Sequence, residues 1–100
     1  MFGSKPTAPE MPAGKATTKS GEQVELKLYK FDSCPFCRRV LDFLREHPIP
    51  LEYRDTRQDE GARDDLIQIG GINQVPCLVI DGKPMYESAD IIEYLKKEFV

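Results

Sequence analysis

The stretch "VELKLYKFDSCPFCRRVLDFLREHPIPLEYRDT", residues 24–56, changes its hydrophobic period twice. Over residues 24–31 the positions Val24, Leu26, Leu28 and Lys30 alternate onto one face, the pattern of a strand. After Cys34 and Pro35 the apolar positions Phe36, Val40, Leu41 and Leu44 fall at helical spacing, with Arg38, Arg39, Asp42 and Arg45 opposite. The prolines of "HPIP", residues 47–50, disfavour helical geometry in the residue before each, so the helix ends there. "LEYRDT", residues 51–56, alternates again. Two strands joined by a helix must run parallel through a right-handed crossover.

Working outward, "GARDDLIQIG", residues 61–70, reads as a short helix with Leu66, Ile67 and Ile69 inward and Gly70 as its stop. "VPCLVIDGKPMYE", residues 75–87, reads as two strands around an Asp81-Gly82 turn, a strong hairpin signal. "SADIIEYLKKEF", residues 88–99, closes as an amphipathic helix with Ile91, Ile92, Leu95 and Phe99 on one stripe. The order β-α-β-α-β-β-α predicts an α/β domain over residues 23–100, a four-stranded mixed sheet with helices on both faces. Residues 1–22 hold three of the eight prolines and three of the seven glycines, and read as a flexible tail. The tail lacks both an apolar h-region and any arginine, so neither a secretory signal nor a transit peptide fits.

The bulk composition narrows the function classes. A chain of 100 residues with 40% apolar and 31% charged side chains is an ordinary globular domain. A net charge of −3 argues against a nucleic-acid partner, which needs a basic face. The longest apolar run, "VPCLVI" at residues 75–80, has strand length and cannot cross a membrane. Three cysteines are too few for a secreted disulfide scaffold and leave one unpaired, which points to a reducing, cytoplasmic setting; the chain is expected to be a monomer.

Cys34 stands where the first strand gives way to a helix, and Pro35 takes the first helical position, where a missing N–H costs nothing. Unpaired N–H groups and the positive end of the dipole favour a thiolate there, lowering a thiol pKa of ~8.5 by one to several units. Cys37 lies one turn deeper. Cys34 is therefore expected to attack and Cys37 to resolve. Zinc would need two more ligands. The single histidine, His47, lies about 15 Å of helix beyond Cys37 and has a plainer role at the helix C-terminus. A stabilising bridge across so small a loop gains little chain entropy. Pro76, 42 residues after Cys34, opens the third strand. Two readings of it coexist: an ordinary strand-start proline, and a cis-proline presenting the Val75 backbone to an extended thiol peptide. Cys77 beside it reads as a small core hydrophobe.

CxxC after the first strand, a proline opening the third, and an acidic-plus-serine turn before the last helix resemble the thioredoxin superfamily. Within it the "CPFC" motif resembles the dithiol glutaredoxins. "LKLYKFDSCPFC" and "YESADIIEYL", residues 26–37 and 86–95, also resemble the N-terminal domain of glutathione transferases. The resemblance implies a thioredoxin-like fold and a glutathione-dependent oxidoreductase acting on protein disulfides and glutathionylated proteins, with no metal. It implies Cys34 and Cys37 as catalytic residues and Phe36, Gln74, Val75, Pro76, Glu87, Ser88 and Asp90 as glutathione contacts. Ser88 also reads as a simple N-cap, and Asp90 as a complement to the helix dipole. Phe36 reads equally as a cover over bound peptide and as core. Two departures from the family pattern bear on the glycine carboxylate. Phe31 replaces a common lysine, with Lys30 on the opposite face, and Gln74 stands where transferases often carry lysine. Gln74, Arg38 and Arg63 are the candidates for that contact. Other readings are a glutathione-binding transferase-like module, a glutathione-ligated [2Fe–2S] protein with Cys34 as ligand, and a redoxin reduced by a flavoenzyme.

Overall fold

In the computed structural model, which describes residues 15–100, the alternation at residues 24–31 becomes the central strand. The elements are β1 (Lys15–Thr17), β2 (Gln23–Lys30), α1 (Pro35–Glu46), β3 (Glu52–Asp55), α2 (Glu60–Gly70), β4 (Cys77–Ile80), β5 (Lys83–Tyr86) and α3 (Ser88–Phe99). Strand β2 pairs in parallel with β3 from Lys27↔Glu52 to Lys30↔Asp55, as the crossover requires. It pairs antiparallel with β4 from Leu26↔Ile80 to Tyr29↔Cys77, and β4 pairs antiparallel with β5. The hairpin turns at Asp81 (φ 49°) and Gly82 (φ 86°), the double positive φ of a type I′ turn. The Asp81 carboxylate accepts the Glu25 N–H at 2.8 Å, and its own N–H donates to the Glu25 carbonyl at 2.9 Å.

The four expected strands are present, and a fifth precedes them. Strand β1 pairs antiparallel with residues 23–25 of β2. Its three residues bury only Ala16, so no alternation is legible in the sequence. The following turn is closed by buried Thr18, whose Oγ1 accepts the Glu22 N–H at 3.0 Å. The Lys19 N–H then donates to the Glu98 carbonyl at 2.7 Å. Residues 15–17 thus belong to the sheet and 18–22 to the turn that joins them to β2, whereas the sequence reading counted them with the tail. Residues 1–14 of that expected tail lie outside the described residues.

Period-two alternation splits the core between the two faces of the sheet. Leu26, Leu28 and Leu78 meet Val40 and Leu44 from α1 and Ile91 and Leu95 from α3. Tyr29, Cys77 and Val79 point the other way, against Ala62 and Leu66 of α2. Two details of α2 differ from expectation. Ile67 is 41% exposed, because Ala62 and Leu66, one turn apart, carry the buried stripe and Ile67 lies off it. The helix stops at Gly71 (φ 81°), whose N–H reaches the Ile67 carbonyl at 2.7 Å, and not at Gly70. Gly70 is needed for another reason, since the Tyr86 hydroxyl occupies the space where a Cβ would stand.

That close approach makes a stability prediction. Gly70→Ala should cost roughly 1–3 kcal/mol through overpacking. Tyr86→Phe should recover most of it, because the Tyr86 hydroxyl faces the Cys77 sulfur without a well-formed hydrogen bond. A double-mutant cycle in urea checks it. Additive effects of the two changes would contradict the contact.

Candidate functional site

The strand registers gather the site. Tyr29 pairs with Cys77 and Cys77 with Tyr86, so the end of β2, the start of β4 and the end of β5 lie side by side. Their continuations are the Phe31–Cys34 turn, Val75-Pro76 and Glu87-Ser88. Three segments far apart in sequence thus meet at one end of the sheet.

Cys34 is the N-cap of α1, with extended backbone (φ −81°, ψ 120°), and its Sγ accepts the Cys37 N–H at 3.4 Å. A sulfur here takes the place usually held by a Ser or Asp oxygen. Pro35 follows at the first helical position, and the Arg38 N–H closes the turn on the Cys34 carbonyl at 3.0 Å. A thiolate at Cys34 would find this N–H donor and the positive end of the helix already in place. Cys34 keeps 7% of its surface exposed and Cys37 none, and all three cysteines are free thiols. Burial pushes the Cys37 thiol up to about 12, with the Phe31 N–H partly offsetting it and Cys34 adding to it. Burial likewise raises Cys77, to about 11, in keeping with its place in the core. The two sulfurs of the pair thus differ in burial, Cys34 at the rim and Cys37 wholly enclosed.

Lys30 is already engaged. Its ammonium lies 2.8 Å from Asp32 and 3.6 Å from Asp55. Burial works to lower its pKa, but Asp32 first and Asp55 second hold it above the usual value. Asp55 shows the converse. Burial pushes its carboxyl up, but the Arg57 and Gln58 N–H groups at 2.9 and 3.0 Å, with Lys30, hold it low. His47 sits at the C-cap of α1 with its ring 4.9 Å from that of Phe43.

Phe31, where a lysine was missed, is the floor of an open groove of about 400 Å³ also lined by Thr56, Arg57, Glu60, Arg63, Asn73 and Val75. The Arg57 guanidinium stacks 4.0 Å over the Phe31 ring. The cations of this groove come from the loop after β3 and from α2. Of the three carboxylate candidates, Arg63 lines this groove, while exposed Gln74 and Arg38 do not. Arg57 and Thr56 escaped the sequence reading, since "TRQDE" is an aperiodic polar loop and its contact with Phe31 is purely tertiary. Val75 is half-buried, Pro76 is buried, and the bond between them is cis, the second of the two readings offered.

On the other flank Glu87 (φ 75°) is the N-cap of α3, with an exposed side chain that makes no capping bond, and its carbonyl accepts the Ile91 N–H at 3.0 Å. Ser88 is the first helical residue, buried, and not the cap that the simpler reading made it. It lies at one end of a second groove, of about 320 Å³, between α1 and α3 with Arg39, Ala89, Ile92, Glu93 and Lys96. Asp90 is exposed in the first turn. Phe36 is 58% exposed, which rules out its core alternative, because Cys37, Val40 and Leu44 form the buried stripe of α1.

Residues 28–100 match the family described as Glutathione S-transferase, N-terminal domain. Glutathione S-transferase U22 of Arabidopsis thaliana is 33% identical over 75 residues, 71% of this chain and 33% of that protein. An epsilon-class glutathione S-transferase from the housefly, Musca domestica, superposes with a TM-score of 0.57 at 29% identity, covering 71% of this chain and 34% of that one. The thioredoxin-like protein BC3987 superposes with a TM-score of 0.62 at 26% identity over 71% of this chain and 99% of that one. The fold is thioredoxin-like, and the chain spans about a third of the length of the transferases it matches.

The buried thiols fix a pH dependence. Cys37 and Cys77 ionise at about 12 and about 11 when folded, against an ordinary value of 9.0. Groups raised in this way contribute stability that is complete below pH 9.0 and is lost as the pH climbs through the folded values. Burial raises Tyr29 and Tyr86 in the same direction. The urea midpoint should therefore fall between neutral and strongly alkaline pH, and fall less in Cys77→Val. An alkaline loss of the same size in both proteins would contradict the assignment.

Proposed function

Since the chain belongs to the glutathione S-transferase N-terminal domain family, we propose that it binds glutathione and uses it in dithiol oxidoreduction of the glutaredoxin type. The observation that carries this reading is the thiol pair. One sulfur caps the helix at the surface, and a second, fully buried, lies one turn behind it. A module that only held glutathione would need no second sulfur there.

With a glutathionylated protein, the Cys34 thiolate attacks the glutathione sulfur. The Cys34–glutathione disulfide forms, the protein–glutathione disulfide breaks, and the protein leaves as a thiolate that takes a proton from water. A second glutathione thiolate attacks that glutathione sulfur, giving glutathione disulfide and restoring Cys34. With a protein disulfide, Cys34 attacks one sulfur and the other departs as thiolate. Cys37 then displaces the substrate from Cys34 and forms the Cys34–Cys37 disulfide, which two glutathione molecules reduce. A fully buried thiol gives up its proton most readily in company with its attack, and the departing substrate thiolate is the acceptor at hand.

For glutathione itself, the backbone of Val75 would pair with the peptide as an added strand. The buried Ser88 hydroxyl and the N-terminus of α3 suit the γ-glutamyl carboxylate, and exposed Glu87 and Asp90 suit its amine. Arg57 and Arg63 suit the glycine carboxylate better than Gln74 does, because they line the groove beside Val75. We place this activity in a reducing compartment and in a monomer. The second reading is a glutathione-binding module of transferase type, favoured by the matches to named transferases.

Glutathione-coupled reduction of a small mixed disulfide tests the mechanism. Cys34→Ser should be inactive, and full activity in it would end the proposal. Cys37→Ser should still remove glutathione from proteins but fail to reduce protein disulfides. Arg57→Ala should raise the KM for glutathione about tenfold, the loss of one charged hydrogen bond, with little change in kcat. Glutathione conjugation to an aromatic electrophile, with no disulfide reduction, would favour the transferase reading instead.

A further inference from the structure

Two features beside Cys34 are left over by the thiol–disulfide steps, Ser88 itself being kept for the γ-glutamyl carboxylate. Phe36 exposes 58% of its surface two residues from the attacking sulfur, although large aromatic side chains are normally spent in cores or contacts. The groove between α1 and α3 runs from Ser88 to Lys96. Half-buried Ile92 gives it an apolar floor, and Arg39 and Lys96 are its cations, with Glu93 the one acid among its lining residues. Its excess charge is positive on a chain whose net charge is −3. Among the described residues the arginines in ion pairs are Arg45 and Arg54, whereas Arg38, Arg39 and Lys96 form none, and Glu93 offsets only one of the two groove cations.

We propose that the α1–α3 groove docks an acidic segment of the protein substrate, with Phe36 packing against apolar side chains next to its reacting disulfide. The inference rests on the oxidoreductase reading and adds the class of protein that the site accepts. Helix geometry fixes where the acids must lie. Arg39 is about 7.5 Å along α1 from Cys34, and Ser88 to Lys96 is about 12 Å along α3. An extended segment advances about 3.3 Å per residue, so its carboxylates fall within about five positions of the reacting cysteine. Arg39 can take one of them bidentately and Lys96 the other as a point charge. Exposed cations of this kind act chiefly on encounter rate, and salt screens them.

The test uses three glutathionylated peptides with the same central cysteine and acidic, neutral or basic flanks. At low ionic strength kcat/KM should be about tenfold higher for the acidic peptide than for the basic one, and the gap should close at high salt. In the variant carrying both Arg39→Glu and Lys96→Glu the order should reverse. The readout is an order among peptides on one protein, so a weakened fold cannot imitate it. Equal rates for the three peptides, or an order that survives the charge reversal, would overturn the docking proposal and leave the oxidoreductase reading standing. That is also the outcome expected if a helical partner covers this face. Failure to reduce any peptide or a small mixed disulfide would defeat the oxidoreductase reading, and the docking proposal with it.

Discussion

Strand β2 is paired along both edges and packed on both faces, and that double confinement places everything else. Its parallel ladder to β3 forces α1 to cross over one face, and its antiparallel ladder to β4 sets the hairpin on its other side. Leu26 and Leu28 feed the core under α1 and α3, while Tyr29 feeds the core under α2. A slip of one residue would send Tyr29 into the first core and the leucines into the second, so the register is strongly specified. The chemistry inherits that precision. Because Tyr29 is opposite Cys77 and Cys77 is opposite Tyr86, the segments adjoining them are brought to the same end of the sheet.

Elements with a repeated pattern were legible in the sequence, and elements defined by one contact were not. The period switch over residues 24–56 specified β2, α1 and β3, and Asp81-Gly82 specified the hairpin. Strand β1 has one buried side chain, too few to form a period. Ile67 was placed inward because a helix of 11 residues with three consecutive polar positions does not fix its own rotation. The stop at Gly71 instead of Gly70 was a choice between adjacent glycines that only the backbone settles, Gly71 taking the positive φ. In the site, the thiols and Pro76 could be read because their chemistry depends on local position. Arg57 could not, because its partner Phe31 is 26 residues away across the sheet end and no spacing rule links them.

The site's electrostatics are arranged by exclusion as much as by attraction. Lys30, the nearest strand cation in sequence to the thiols, is held by Asp32 and Asp55, so the cations left to an incoming ligand come from the three helices and the loop after β3. Two grooves flank the thiol end, and each carries two cations and one acid. One has an aromatic floor capped by a guanidinium and the other an aliphatic floor. Membership of the transferase N-terminal domain family does not by itself choose among chemistries, since the fold only supplies the platform. Under the proposed function, the buried second sulfur is what would separate this platform from one that merely grips a tripeptide.

The hydrogen bond from the Lys19 N–H to the Glu98 carbonyl has a topological consequence. It stitches the turn after β1 to the last turn of α3, at the end of the sheet where residues 23–25 lie and away from the end where Cys34 lies. Both extremities of the described fold therefore leave from the pole opposite the thiols. A short covalent loop joining Lys15 to Val100 would therefore be built at the far pole, clear of the thiol end.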